Sequence, residues 1–124
     1  MRPTLCFALL LAVASAQAAT LRVRPGGDGE FATIQEAIDA ADSLDTILLA
    51  DGVFRGPGNR NLDVGGLPLT VRSAGDDPHA CILDCQGSSA PGGEARRGFI
   101  FQSGEGPRTL VRGLTIRDGI SGGD

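Results

Sequence analysis

What most constrains this chain is a succession of short apolar segments divided by Gly, Asp, Asn and Pro, with no helix between them. They are Thr46–Leu49, Leu62–Val64, Leu67–Arg72, Cys81–Asp84, Gly98–Gln102 and Leu110–Arg117; a further short strand, Thr20–Arg24, stands ahead of them, before the one helical segment. Their parity reads as strand. Leu21 and Val23 share one face, as do Leu69 and Val71, Phe99 and Phe101, and Leu114 and Ile116, while Thr70 and Thr115 point the other way. Such alternation places one face in a core. Short strands without intervening helices build a sandwich, a barrel or a solenoid. No hairpin dipeptide joins consecutive segments, so simple antiparallel pairing is not signalled. Aromatics are few, with five Phe and no Trp or Tyr, and the faces are lined by Ile, Leu and Val. Those residues suit like-on-like stacking in a parallel coil. The segment centres Leu48, Thr70, Leu83, Ile100 and Thr115 are unevenly spaced. Successive segments are therefore expected on different sheets of a coil that carries up to three strands per turn, without a sheet being assigned to each.

One segment breaks the pattern. From Phe31 to Ala41 the apolar residues Ile34, Ala37, Ile38 and Ala41 follow a helical spacing. Thr33 with Glu36 three positions on forms a capping box. The spacing predicts an amphipathic helix over about residues 33–42. A helix of about ten residues is marginal alone, so it must pack on something, and the exposed end of a strand stack needs such a cover. Pro25–Gly29, Asp51, Asp76, Asp77 and Asp118 read as turn residues.

The stretch Gly29–Ala41, followed by Asp45–Phe54, resembles the opening of pectin-lyase-like right-handed parallel β-helix proteins, pectinesterases among them. In that family a short helix caps the N-terminal end of the coil, and the first strand ends in a small residue–Gly–Val–aromatic turn. Asp51-Gly52-Val53-Phe54 matches that turn. Ile82–Cys85, Arg97–Phe101 and Val111–Gly119 are similar to successive turns of uncharacterised β-helix repeat proteins, so the likeness spans residues 20–119. It implies an all-β fold, a right-handed parallel β-helix with one N-terminal capping helix. It implies little about activity, because the superfamily includes lyases, hydrolases, esterases and non-enzymes.

The first residues are expected to be removed. Arg2 supplies a positive n-region, Leu5–Ala14 is an unbroken apolar run, and Ala16-Gln17-Ala18 is an A-x-A cleavage site, with Ala14-Ser15-Ala16 as a second candidate. The run is shorter than the roughly 20 residues of a spanning helix. Cys6 lies inside it and is misplaced for lipidation. Residues 1–18 are read as a bacterial-type signal peptide and residues 19–124 as the N-terminal part of a β-helix domain, secreted or displayed at the cell surface, outer-membrane association included. Ile120–Asp124 reads as a turn after a strand with no closing cap, so the domain is expected to be truncated at its C-terminal end.

The net charge of −4, one unit more negative without Arg2, argues against a nucleic-acid or anionic-membrane partner. All eleven basic residues are Arg; Lys is absent. Two cysteines survive processing, Cys81 and Cys85. An extended segment sets their Cα atoms about 13 Å apart, beyond the roughly 7 Å a disulfide bridges, and they read as small buried apolar residues.

Chemistry in this superfamily rests on carboxylates clustered on one sheet, an acid and a base or nucleophile flanking the scissile bond. Asp63, Asp84 and Asp118 are the candidates, and Asp84 and Asp118 are expected near one another on adjacent turns. The simpler reading is that they end strands. His79 lies in a polar turn, Arg96-Arg97 is too short a basic step for nucleic acid, and Pro25–Gly29 lacks the lysine and spacing of a phosphate loop. Pectinesterases carry their catalytic Asp and Arg in later turns, past the matched region. No catalytic, cofactor-binding or metal-ligating residue is therefore assigned, and no cofactor is expected. The expected function is a non-catalytic adhesion or carbohydrate-contacting scaffold whose partner is a polysaccharide or other cell-surface glycan. The alternatives are the N-terminal fragment of a polysaccharide-active enzyme, pectinesterase- or pectate-lyase-like, and a truncated remnant without a function of its own.

Overall fold

A computed structural model describes residues 17–88 and 93–121. Most of the leader expected at residues 1–18 lies outside them, as does the end of the chain from 122. The elements are β1 (Thr20–Val23), α1 (Ile34–Ala40), β2 (Thr46–Leu49), β3 (Gly52–Phe54), β4 (Leu62–Asp63), β5 (Thr70–Ser73), β6 (Cys81–Asp84), β7 (Phe99–Ile100), β8 (Leu110–Arg112) and β9 (Thr115–Arg117).

The strands form three sheets, ordered β1-β2-β5-β8, β3-β6-β9 and β4-β7. Every pairing between them is parallel. From β2 onward the chain visits the first, second and third sheets in turn, does so again from β5, and enters the first and second once more with β8 and β9. The fold is all-β with one short helix, and the strands of one pass lie above those of the last.

Stacking converts the alternation of each strand into columns. On the first sheet Leu21, Ile47, Val71 and Val111 occupy one register column. The first three are at most 6 % exposed. On the second sheet Phe54 pairs with Leu83 and Leu83 with Ile116. Burying each such side chain contributes about 1.5–3 kcal/mol. In the last described pass the inward Ile116 is about half exposed, as is Phe101, which stacks its ring on Phe99; Leu110, equally exposed, stands in the outward column above Thr70.

Helix α1 forms where the capping box predicts. Thr33 Oγ1 accepts the Glu36 N–H at 3.2 Å, and Glu36 Oε2 accepts the N–H of Ala32 at 3.1 Å, one residue earlier than in the usual reciprocal box. The helix stops at Ala40, short of the expected residue 42, because Ala41 turns to extended backbone. Ile34, Ala37 and Ile38 are buried, and the helix touches β1, β2 and β4. Asn59 holds it: its Oδ1 accepts Ile34 N–H and its Nδ2 donates to Arg55 O, each at 2.9 Å. Gln35 clamps it to β4, donating to Asp63 O and accepting from Asp63 N–H.

Several boundaries differ from the sequence expectation. Leu110–Arg117 is two strands on two sheets, β8 and β9, because Gly113 takes a left-handed conformation (φ 73°) between them. A Cβ there would lie 2.7 Å from Ser73 Oγ and 2.8 Å from Asp76 Oδ1, so the corner also needs glycine for space. The segment read as a turn at Asp51–Phe54 is largely strand: β3 pairs in register with Cys81–Leu83. Leu67–Arg72 becomes strand only at Thr70, and Gly98–Gln102 only at Phe99–Ile100. Where a strand begins depends on the neighbouring pass that supplies its hydrogen bonds. No helix among the described residues is long and apolar enough to cross a membrane.

Candidate ligand-contact face

The outward columns of the first sheet are polar and basic. Thr20, Thr46 and Thr70 form one. Arg22, Leu48, Arg72 and Arg112 form the next. Beyond the strand ends the stacking continues through Ala50 N–H to Val23 O and Ala74 N–H to Leu49 O. Ala50 and Ala74 thus come beside Arg24 on the same face. Together Arg22, Val23, Arg24, Leu48, Ala50 and Ala74 line a shallow cleft of about 160 Å³. Its shape follows from side-chain size, since two Ala stand where longer groups would fill the space.

The charges on this face differ in how they are engaged. Arg112 is tied to Asp76, with Nη2 at 2.8 Å from Oδ2, and its guanidinium holds the Asp76 carboxyl below the usual range. Arg22, Arg24 and Arg72 make no ion pair or side-chain hydrogen bond among the described residues. Arg22 and Arg24 are exposed. A guanidinium presents a planar fork that matches a carboxylate or sulfate with paired hydrogen bonds. Beside it Leu48 is largely covered, at 8 % exposed, and the small side chains of Ala50 and Ala74 are more open to solvent.

The carboxylates weighed from sequence fall on two sheets and in different surroundings. Asp84 continues the outward face of the second sheet between Arg55 and Arg117. One oxygen, Oδ2, takes Arg55 Nε at 3.1 Å and Arg117 Nη2 at 3.2 Å. The other, Oδ1, accepts Gln86 N–H at 3.0 Å. That backbone hydrogen bond, with the two arginines, lowers its pKa against the opposing effect of burial. A carboxyl held ionised in this way braces three passes and is poorly suited to donate a proton. Asp118 follows Arg117 and does lie beside the Asp84 segment, where its carbonyl accepts Gly87 N–H at 2.8 Å. Asp63 is on the third sheet, where its Oδ1 accepts Gly65 N–H in a tight turn.

The other singled-out residues are structural or exposed. Arg96 Nη1 donates to Gln86 O, and Arg97 Nη2 to Ser121 O, so the basic step ties loops together. His79 is exposed in its turn. Cys81 and Cys85 are free and buried. They sit at the two ends of the extended segment that begins with β6, pointing inward with Leu83. Burial pushes the Cys81 thiol up to about 11, with the Asp51 charge adding to it, and raises Cys85 as well. Such thiols are unreactive at neutral pH. No His, Cys, Asp and Glu grouping suited to a metal ion occurs among the described residues.

The basic columns were half legible in the sequence. Parity puts Arg22 and Arg24 opposite Leu21 and Val23, but only the register shows that Leu48, Ala50, Arg72 and Ala74 join them. No protein-family model, no curated protein and no solved structure matches this chain.

Proposed function

We propose that the three sheets are faces of a right-handed parallel β-helix, exported from the cell, whose first sheet contacts an acidic polysaccharide with its outer face. The cyclic order of the sheets supports the coil, and right-handed crossover between parallel strands is the general rule. One observation carries the ligand: exposed Arg22 and Arg24, without an ion pair among the described residues, flank a cleft bordered by Leu48, Ala50 and Ala74 on a chain of net charge −4. A basic groove on an acidic molecule selects a ligand by charge. Guanidiniums over small and apolar side chains suit the carboxylates and the flat faces of a uronic-acid chain. Binding without turnover fits this face, since Asp84, the most buried of the three carboxylates weighed from sequence, is already engaged by Arg55 and Arg117.

Calorimetric titration of the exported protein with oligogalacturonate tests this. Binding is expected for the free acid and not for its methyl ester, and Arg22→Ser with Arg24→Ser should weaken it at least about tenfold, the effect of losing roughly 1.4 kcal/mol of charge-assisted contact. Equal binding of acid and ester, or an unchanged affinity in the double variant, would refute the assignment.

A further inference from the structure

The leading edge of β1 carries a feature that the ligand face does not use. Two charged residues are among the buried polar groups, Asp45 at 5 % exposed and Asp84 at 7 %. Asp84 has two arginines. Asp45 has no cation among the described residues. A carboxylate taken out of water ordinarily has a counter-charge, because its desolvation is otherwise uncompensated. Asp45 instead accepts two backbone N–H groups, Asp42 to Oδ2 at 2.8 Å and Ala19 to Oδ1 at 2.7 Å.

The second donor matters because of where it lies in the sequence. Ala19 follows Ala16-Gln17-Ala18, the first of the two candidate leader-cleavage sites. Register holds it in place: Thr20 pairs with Thr46, and Ala19 O accepts Thr46 N–H at 2.9 Å. Gln17, Ala18 and Ala19 are all exposed, so neither side of the Ala18–Ala19 bond is packed into the core.

We propose that the chain is cut between Ala18 and Ala19, and that the α-ammonium group so formed is the counter-ion of Asp45. The step is a hydrolysis by a leader-removing endopeptidase. Water adds across the bond between the Ala18 carbonyl carbon and the Ala19 nitrogen. The hydroxyl stays on Ala18 as a carboxyl group, and the nitrogen leaves as an amine that takes up a proton. One amide N–H donor becomes an ammonium with three donors and a full charge, at a nitrogen already 2.7 Å from Oδ1. That is the distance of a charge-assisted hydrogen bond. Cleavage at the other candidate site, after Ala16, would leave the new charge on Gln17, two residues away from the nitrogen that Asp45 accepts. Processing at Ala18 therefore completes the anchoring of the first strand.

Residues 19–124 contain no lysine, so the α-amine is the only primary amine in that segment. The full gene is expressed in a secreting host and the exported product is weighed by intact-mass spectrometry. The mass of a chain starting at Ala19 is expected; a start at Gln17, or retention of Met1, overturns the proposal. The exported protein is then treated with an acetylating ester at pH 7. Pairing with Asp45 should keep the amine protonated and slow its acetylation about tenfold or more relative to Asp45→Asn, tenfold being the effect of one pKa unit. Should that variant not fold, the same wild-type protein in concentrated urea is the reference. Equal rates in the folded protein and the reference overturn the pairing.

Discussion

Replacing Phe54 by Ala tests the register of the second sheet most directly. Phe54 is 0 % exposed and stacks inward on Leu83, and its neighbour Val53 faces outward and is only partly buried. Losing the phenyl ring forfeits about 2–3 kcal/mol of transfer free energy. A residual cavity of roughly 50–80 Å³, at about 24 cal/mol per Å³, adds about 1–2 kcal/mol. The expected cost is therefore about 3–5 kcal/mol, against a total stability of about 5–15 kcal/mol for a single domain. At about 4 °C per kcal/mol for a domain near 100 residues, the thermal midpoint should fall by about 12–20 °C. Val53→Ala should cost only about 1 kcal/mol. Urea and thermal unfolding of the two variants, followed by circular dichroism, measure the contrast. A one-residue slip would reverse every face of the strand. Equal losses, or a larger loss from Val53→Ala, would refute the inward placement of Phe54 and with it the pairing of β3 with β6.

Two further outcomes follow from the corners and the carboxylates. Gly113→Ala should cost at least about 1–2 kcal/mol for the left-handed backbone, and adding Ser73→Ala should recover part of the loss by removing the hydroxyl 2.7 Å from the new Cβ; strictly additive unfolding energies would show that the contact does not matter. Asp45, Asp76 and Asp84 are held below their ordinary 3.8 and Glu105 below 4.5. A carboxylate depressed in the folded state contributes stability above its unfolded pKa and loses it as pH falls through the folded value. The urea midpoint should thus be flat from about pH 7 to pH 5 and drop below about pH 4, and a midpoint that rises on acidification would contradict these placements.

Local patterns carried a good part of the fold. Thr33 and Glu36 announce α1 because a cap and its reach-back are made within one turn of the chain, and Ile34, Ala37 and Ile38 announce its buried face. Leu21 with Val23, and Leu69 with Val71, reveal strand faces because side-chain alternation is a property of the single strand. The alternation of Leu114 with Ile116 was visible too, but β9 is in the last described pass and Ile116 is 46 % exposed there. The role of a face depends on whether another pass covers it.

What the amino-acid order determined by itself is therefore short-range: the capped helix, the alternating strands, the turn residues and the all-β class. What only the tertiary structure decided is which segment lies above which. Thr20 meets Thr46, Thr70 and then Leu110 across loops of unequal length, and nothing local to any one of them encodes that distance. Stacking split Leu110–Arg117 at Gly113, made Gly52–Phe54 a strand, set Asp84 between Arg55 and Arg117, and drew Arg22, Arg24, Leu48, Ala50 and Ala74 into one cleft. Hydrogen bonds in a parallel sheet join residues from different passes, so their partners exist only once the passes have assembled.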